Sequence, residues 1–193
     1  MLRPLYDWTM DKAAHRYAVW WLSAFAFAEA TFFPIPADVL LIPMIMAVRQ
    51  QALRLSIICA LASATGGEFG YAIGYYFYEA VGKPIIEFYG YMAQFASLQE
   101  EYRKYGEWIV AIGAISPIPY KVVTITSGVA QMDFVAYTAT SYGTRMIRFL
   151  AVGGLLWFFG PPIKRFIEER MGLAALLFLA LFVGGFAVIK WVV

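Results

Sequence analysis

A Pro-Ile-Pro triplet occurs twice in this chain, each time inside a long apolar run and each time with a charged residue two positions after it. The two copies, 83 residues apart, are Pro34-Ile35-Pro36 with Asp38 and Pro117-Ile118-Pro119 with Lys121. Proline has no backbone N–H and disfavours helix in the residue before it, so two prolines within three residues should interrupt a helix. In a membrane, a broken helix is tolerated only where protein or a polar cavity surrounds it. Repeated breaks in hydrophobic segments are therefore typical of a transporter's binding site.

The composition is that of a membrane protein. Hydrophobic residues make up 62% of the 193 residues and charged residues 15%, against roughly 25% charged residues in an ordinary soluble domain. The net charge of +2 is too small to indicate a nucleic-acid partner. No polar linker divides the chain. We expect a surface segment at 1–16, one membrane domain at 17–160, and a C-terminal loop with a transmembrane helix at 161–193.

The N-terminal part of the chain imitates a secretory signal peptide. Arg16 precedes an apolar stretch at 17–25 and a small-x-small sequence at 26–28. Hydrophobicity nevertheless continues to Val48, and acidic as well as basic residues precede the stretch. The alternative is a short amphipathic helix that lies on the membrane surface.

Five apolar segments follow one another, at 17–48, 55–78, 109–132, 134–162 and 172–189. As a single helix the first would be about 48 Å long, although the hydrocarbon core of a bilayer is only about 30 Å thick. Broken at its prolines, it gives two arms of about 25 and 18 Å, each too short to span. We therefore expect re-entrant hairpins at 17–48 and 109–132, and about three transmembrane helices at the other segments. The predicted fold is an all-α polytopic membrane protein.

The distribution of lysine and arginine favours this topology. If both broken segments return to the side from which they enter, eight basic residues lie on one side and four on the other. The eight are Arg3, Lys12, Arg16, Arg49, Arg54, Lys164, Arg165 and Arg170, and the four are Lys83, Arg103, Lys104 and Lys190. If the first segment spans once, the split is a weaker five against seven. The side with eight should be cytoplasmic, which places the N-terminus inside and the C-terminus outside. One full crossing separates the hairpins, so they enter from opposite faces as an inverted repeat.

Two further patterns concern packing. Aromatic and apolar residues recur at helical intervals across 84–107, which predicts an amphipathic helix at the membrane interface. In the second segment, Gly66, Gly70 and Gly74 fall on one helix face. Such a stripe predicts close packing against other helices.

Six ionisable residues lie within the apolar segments, and their formal charges sum to zero: Glu29, Asp38, Glu68, Lys121, Arg145 and Arg148. A charge at membrane depth is costly in isolation, so these side chains should face one another or water rather than lipid. Glu29, Glu68 and Arg145 fall near the middle of their segments at a rise of about 1.5 Å per residue. Arg145 and Arg148 are three residues apart and share one helix face.

Asp38 and Lys121 follow the two breaks, where each would begin a helix. A carboxylate favours the dipole at a helix N-terminus, so a capping role explains Asp38 as well as a functional one does. Capping does not explain Lys121, because a cation opposes that dipole. A helix N-terminus, a lysine and an arginine pair together suit an anion, most naturally phosphate. We therefore expect a phosphate site formed by Lys121, Arg145 and Arg148.

Motifs for catalysis and metal binding are absent from the sequence. His15 is the only histidine and Cys59 the only cysteine. The sequence therefore offers no Ser-His or Cys-His pair, no disulfide within the chain and no cysteine-built metal site. The glycines around Glu68 are not followed by Lys-Ser/Thr and form no phosphate loop. We expect neither an enzyme nor a requirement for a cofactor.

Three sequence blocks together resemble the DedA family, the bacterial branch of the SNARE-associated or VTT-domain membrane proteins. The blocks are Glu29 with Phe33-Pro34-Ile35-Pro36-Ala37-Asp38, Gly66-Gly67-Glu68-Phe69-Gly70-Tyr71-Ala72-Ile73-Gly74, and Ser116-Pro117-Ile118-Pro119-Tyr120-Lys121 leading to Ser127-Gly128. The resemblance covers residues 17–160. The family's second hairpin typically carries two arginines around its proline. Here Lys121 stands near one of them and the other is missing, so the chain resembles the divergent YqaA-like branch.

The resemblance implies two opposed re-entrant hairpins in a small helical bundle and a multi-pass location in the bacterial inner membrane. It also implies movement of phospholipid-type molecules between leaflets. Bacterial relatives are linked to recycling of undecaprenyl phosphate and to the proton-motive force, and eukaryotic relatives scramble phospholipids. The residues regarded as essential in the family correspond to Glu29, Asp38 and Lys121. Arg145 and Arg148 do not come from the resemblance. We add them to the candidate site because of their depth in the fourth apolar segment and their spacing of three residues.

Three functional hypotheses stay open. In the first, the protein is a lipid translocase, a flippase or scramblase, that binds lipid phosphate with basic residues and relays protons with acidic ones. The assigned residues are Lys121, Arg145 and Arg148 for phosphate, Glu29 and Asp38 for protons, and Glu68 as an accessory. The second is a small-solute or cation secondary transporter with the same acidic relay and a closed aqueous site. The third is a membrane scaffold that transports nothing.

Overall fold

The computed structural model describes residues 17–33, 35–115 and 119–169, and within these ranges the regular secondary structure is helical. The helices are α1 (Ala18–Thr31), α2 (Asp38–Ala47), α3 (Ala52–Phe77), α4 (Lys83–Phe88), α5 (Met92–Ile115), α6 (Tyr120–Val129) and α7 (Phe134–Glu169). A 3₁₀ turn at Arg49–Gln51 precedes α3, and a π-helical turn at Tyr78–Gly82 follows it. The all-α prediction is confirmed for these residues. The predicted surface segment at 1–16 and transmembrane helix at 172–189 lie outside them.

Both Pro-Ile-Pro triplets coincide with breaks between helices, as predicted. One break separates α1 from α2, and the other separates α5 from α6. Pro36 and Pro119 lie in the breaks, whereas Pro34 and Pro117 fall outside the described residues. The 14 residues of α1 and the 10 residues of α2 correspond to about 21 and 15 Å, so neither helix reaches across a core of about 30 Å. The re-entrant geometry itself stays a prediction.

The two broken elements pack against the same pair of long helices, α3 and α7. One apolar cluster joins α1 and α2 to them through residues that include Leu22, Leu41, Ile45, Cys59 and Phe149. A second cluster joins α5 and α6 to them through residues that include Tyr71, Val110, Tyr120, Val123 and Tyr137. The central helix α3 thus lies between the two halves of the chain.

The glycine stripe of α3 is the surface on which α1 and α6 pack. A Cβ at Gly66 would overlap the carbonyl oxygen of Phe27 in α1, and a Cβ at Gly74 would overlap that of Ile125 in α6. Gly70 lies between them on the same face. Only residues without a side chain allow backbones to approach this closely. The close packing predicted from the stripe is confirmed.

The region predicted as one interfacial helix at 84–107 is divided differently in the structure. α4 ends before Gly90, whose φ of 74° glycine adopts without strain. α5 then runs without a break into the apolar residues that follow. No proline interrupts α5, and its buried positions, among them Tyr102, Val110 and Ala114, continue across both regions. The interfacial helix and the first arm of the second broken element are therefore largely one helix.

By length and composition alone, Arg49–Phe88 is the stretch among the described residues that could cross a membrane. The predicted crossing at 134–162 is helical within α7, but polar residues and two arginines lower the apolar content of its first half. The outer surface nevertheless exposes many large apolar side chains, among them Trp20, Trp21, Phe69, Ile112 and Ile147. An apolar surface of this extent suits contact with lipid.

Candidate functional site: a buried ion-pair network

Arg145 lies at the centre of the network, on the inner face of α7, and is only 2% exposed. Its Nη2 donates to Oε2 of Glu29 in α1 at 2.9 Å. Its Nε donates to Oγ of Ser63 in α3, also at 2.9 Å. One guanidinium therefore connects three helices. A buried charge is costly unless it is paired and hydrogen-bonded, and these contacts are what allow Arg145 to lie in the interior.

Aromatic rings enclose the same guanidinium. Cζ of Arg145 lies 3.9 Å from the centroid of the Tyr120 ring and 5.2 Å from that of Phe149. Cation–π contacts of desolvated groups can each contribute about 2 kcal/mol. Tyr120 is the first residue of α6, directly after the second break, and its hydroxyl group hydrogen-bonds with Ser141 of α7. The second break thus supplies one wall of a site whose carboxylate comes from the helix before the first break.

A second ion pair lies about one turn further along α7. Nη2 of Arg148 donates to Oδ2 of Asp38 at 2.6 Å. The side chain of Arg148 is 26% exposed, so this pair is the more accessible of the two. Oδ1 of Asp38 is buried and has no hydrogen-bond partner within the described part of the chain. Asp38 begins α2, where the helix dipole favours its negative charge, but its hydrogen bond goes to Arg148 rather than to the backbone of its own helix.

Six charged residues were predicted to face one another or water, and four of them form ion pairs with one another. The two pairs, Arg145 with Glu29 and Arg148 with Asp38, are neighbours, and the formal charges cancel within each pair. The other two lie apart from these pairs. Nζ of Lys121 donates to the carbonyl oxygen of Phe33 at 3.4 Å, just beyond the C-terminal end of α1. A cation is favoured there, so Lys121 complements the dipole of α1 while opposing that of α6. Glu68 is half-buried and has no ion pair or hydrogen bond from its side chain among the residues described. The shared phosphate site of Lys121, Arg145 and Arg148 stays a prediction.

The network also contains residues that the charge pattern did not identify. Ser63, Tyr120, Ser141 and Phe149 all contact the Arg145 guanidinium or orient a group that does. A signal for two of them is present in the sequence, because Ser141 and Phe149 are four residues before and after Arg145 and so share its helix face. Tyr120 has no such signal, since it comes from another helix.

The arrangement can exchange a proton or an anion. An ionised carboxylate only accepts hydrogen bonds, and a protonated one can also donate. A guanidinium presents a planar fork of N–H groups that fits a carboxylate or a phosphate equally well. In the described residues, no three His, Cys, Asp or Glu side chains lie close enough together to hold a metal ion. The carboxylates and guanidinium groups of the network suit proton and anion chemistry.

Comparison with known proteins agrees with the membrane character of this bundle. A model of the VTT domain matches residues 35–158, which include the end of the first break, α2, α3, the second break and both arginines of α7. An uncharacterized protein of Haemophilus influenzae is 44% identical over 151 residues, covering 78% of each chain. An uncharacterized protein of Histophilus somni is 41% identical over 167 residues, covering 86% of this chain and 87% of its own. No solved structure matches. The chain therefore belongs to the VTT-domain, or DedA, family of membrane-associated proteins.

Proposed function

We propose that this protein is a lipid translocase of the bacterial inner membrane. It moves a phosphate-bearing lipid, such as undecaprenyl phosphate or a phospholipid, between leaflets and leaves its covalent structure unchanged, so it is not an enzyme. The observation that carries the proposal is the pairing of Arg145 and Arg148 with two carboxylates beside a helix break in an apolar bundle. Intramembrane charges of this kind typically mark substrate or proton pathways.

In this proposal the arginines exchange partners. An ionised Glu29 or Asp38 holds its arginine, whereas a protonated carboxyl group no longer attracts the guanidinium as an anion. Protonation therefore frees the N–H fork for a phosphate group of the lipid. When the phosphate leaves, the carboxyl group releases its proton and the ion pair forms again. Lipid and proton are then taken up together.

Lys121, which follows the second break, binds the same phosphate group of the lipid. Its ammonium group has one long hydrogen bond to Phe33, so most of its donor capacity is unused within the described residues. Lysine acts as a flexible point charge, which suits a group that follows a moving headgroup.

The proposal places the two breaks in re-entrant hairpins that enter from opposite faces as an inverted repeat. The network then lies near the bilayer midplane, where transporters of this design bind their substrates. The short arms of α1 and α2 support this arrangement, as does the packing of both broken elements against α3 and α7.

Reconstitution into liposomes tests the phosphate assignment. Transport of undecaprenyl phosphate and of a fluorescent phospholipid should be compared in wild type, Arg145→Gln, Arg145→Lys and Lys121→Gln, with the melting temperature measured on the same preparations. We expect each variant to lose about tenfold or more in transport, because a charged partner of the phosphate is removed or its bidentate geometry is lost. Arg103→Gln, which alters an exposed cation outside the network, is the control.

A purely structural ion pair predicts the opposite pattern. Transport and melting temperature would then fall together, and Arg145→Lys would be tolerated. Stable variants that move both lipids at the wild-type rate would exclude the phosphate site. The proton step has its own test, because transport by Glu29→Gln, which keeps only Asp38 as a proton carrier, should respond more weakly to pH than transport by wild type. A wild-type pH response in that variant would contradict the relay.

The unpartnered Oδ1 of Asp38 favours one alternative, a cation or small-solute transporter. A buried carboxylate oxygen without a donor is an acceptor for a proton or a cation. Uptake of an ion or solute into the same liposomes without lipid movement would support this alternative. A scaffold would show neither activity.

A further inference from the structure

Arg49 makes an unusual set of contacts at the far end of α7. Its Nε donates to the carbonyl oxygen of Trp157, and its Nη2 donates to that of Phe158 at 3.4 Å. In a continuous helix these carbonyls would accept from the N–H groups four residues later. Those residues are Pro161 and Pro162, which have no N–H. Arg49 therefore supplies donors to the two carbonyls that the proline pair leaves without an intrahelical partner.

The same contacts fix an exposed cation in one orientation. Arg49 is exposed, and its Cζ lies 5.7 Å from the centroid of the Trp157 ring. Among the residues that the structure describes, the two carbonyls use only part of its N–H fork, so donors remain for an anion. A guanidinium held in this way loses little further freedom on binding, and arginine matches phosphate better than lysine does.

A groove between α3 and α7 lies beside this cation. Its volume is about 410 Å³, and its lining includes Leu53, Ser56, Leu150, Gly153, Gly154 and Trp157. Most of these residues are apolar or have no side chain, which suits a hydrocarbon chain. Ser56 is fully buried, yet its Oγ has no hydrogen-bond partner among the residues described. A buried hydroxyl group without a partner is costly, and a polar atom of a bound molecule would satisfy it.

We propose that this groove binds a phosphate-bearing lipid, with one acyl chain between α3 and α7 and the phosphate on Arg49. The lipid class rests on the proposed function, but the site is separate from the ion-pair network. Trp157 is nine residues beyond Arg148 on α7, or about 13 Å along the helix. The topology predicted from the basic residues puts Arg49 on the cytoplasmic side, where the groove would hold a lipid before or after its passage.

Photo-crosslinking in purified full-length protein tests this site. The probe is a phosphatidate with a diazirine in its acyl chain, and the matched probe is the diacylglycerol with the same chains and no phosphate. We expect the phosphatidate to label peptides that contain residues 50–56 and 150–157, about tenfold more strongly than the diacylglycerol does. Equal labelling by the two probes would overturn the role of Arg49.

Two glycines of α7 provide a matched pair of variants. A side chain at Gly154 would enter open space in the groove, and one at Gly143 would enter open space elsewhere. Gly154→Leu should reduce the labelling about tenfold by filling the groove, and Gly143→Leu should leave it unchanged. Equal labelling in both variants would overturn the proposal. Arg49→Gln should also reduce labelling, and the glycine pair keeps the test decisive if that variant does not fold.

Inorganic phosphate distinguishes the two sources of the anion. Millimolar phosphate should leave the labelling intact, because the acyl chain adds to the affinity of the lipid. Loss of labelling under these conditions would show that the site binds free phosphate, and would overturn the proposal that it binds a lipid. Intact labelling in a protein that moves no lipid would refute the proposed function and leave this binding site standing.

Discussion

Arg145 is held by a carboxylate, a hydroxyl group and two aromatic rings, and each of these groups belongs to a different position in the chain. Together these groups compensate the free-energy cost of burying the charge of Arg145. The compensation is mutual, because Glu29 depends on Arg145 in the same way. Removal of one partner therefore does not simply delete a contact, since it leaves the other charge buried and unpaired.

This dependence predicts a specific pattern of stability. Glu29→Ala should lower the free energy of unfolding by about 3–5 kcal/mol, as for other buried pairs that lose one partner. The double variant Glu29→Ala/Arg145→Met should recover much of that loss, because no unpaired charge remains. Unfolding of the detergent-purified proteins by denaturant measures both values. A double variant less stable than Glu29→Ala alone would show that the charge is not the cause, and Arg103→Met controls for the loss of an exposed cation.

The sequence predicted that these charges would meet but not how they would pair. Burial cost alone requires buried charges to face one another, which explains why Glu29, Asp38, Arg145 and Arg148 were identified. Which carboxylate pairs with which arginine depends on the rotation of α7 about its axis relative to α1 and α2. A local sequence pattern does not predict that rotation. Tyr120 was missed for the same reason.

At the scale of elements, α7 is a helix whose last part depends on a residue outside it. The proline pair removes two N–H donors, and the chain just before α3 replaces them with one arginine. The 3₁₀ turn at Arg49–Gln51 places that arginine beside α7. The link between α2 and α3 thus has a function in holding α7.

A double-variant cycle can show this dependence. Arg49→Gln should lower the melting temperature of the wild-type protein, because two carbonyls lose their donors at about 1 kcal/mol each. In the background Pro161→Ala/Pro162→Ala, restored N–H groups supply those carbonyls, and Arg49→Gln should have little effect. An equal loss of melting temperature in the two backgrounds would mean that Arg49 does not act through the proline pair.

Helix breaks were predictable from the sequence, whereas the length of α5 was not. Proline acts through its own ring and its missing N–H, so its effect is local and both breaks appear where expected. The change from polar to apolar residues within α5 is not a conformational signal, because a helix continues through it when its buried face continues. A shift in polarity was therefore mistaken for a helix boundary.

At the scale of the whole molecule, the described part of the chain has two broken elements on either side of α3. Each element packs against α3 and α7, although the two elements have different sequences and lengths. Because α3 lies within Arg49–Phe88, the stretch of the described residues that is long and apolar enough to cross a membrane, its two ends should lie on opposite faces. The predicted inverted arrangement of the breaks depends on that crossing.

Cysteine labelling tests this topology directly. In a Cys59→Ala background, single cysteines replacing the exposed residues Gln51 and Glu100 should react with a membrane-impermeant reagent from opposite faces. We expect Gln51 on the cytoplasmic side and Glu100 on the outer side. Labelling of both cysteines from one face of intact cells would refute a crossing by α3 and the opposed hairpins with it.

The hydrogen bond between Lys121 and Phe33 has a mechanical consequence. It joins the start of α6 after the second break to the chain end of α1 at the first break, so the two breaks are not independent hinges. A headgroup that drew Lys121 away would release the end of α1 in the same step. In a translocase of the kind proposed, a movement of the chain at one break would therefore be transmitted directly to the other.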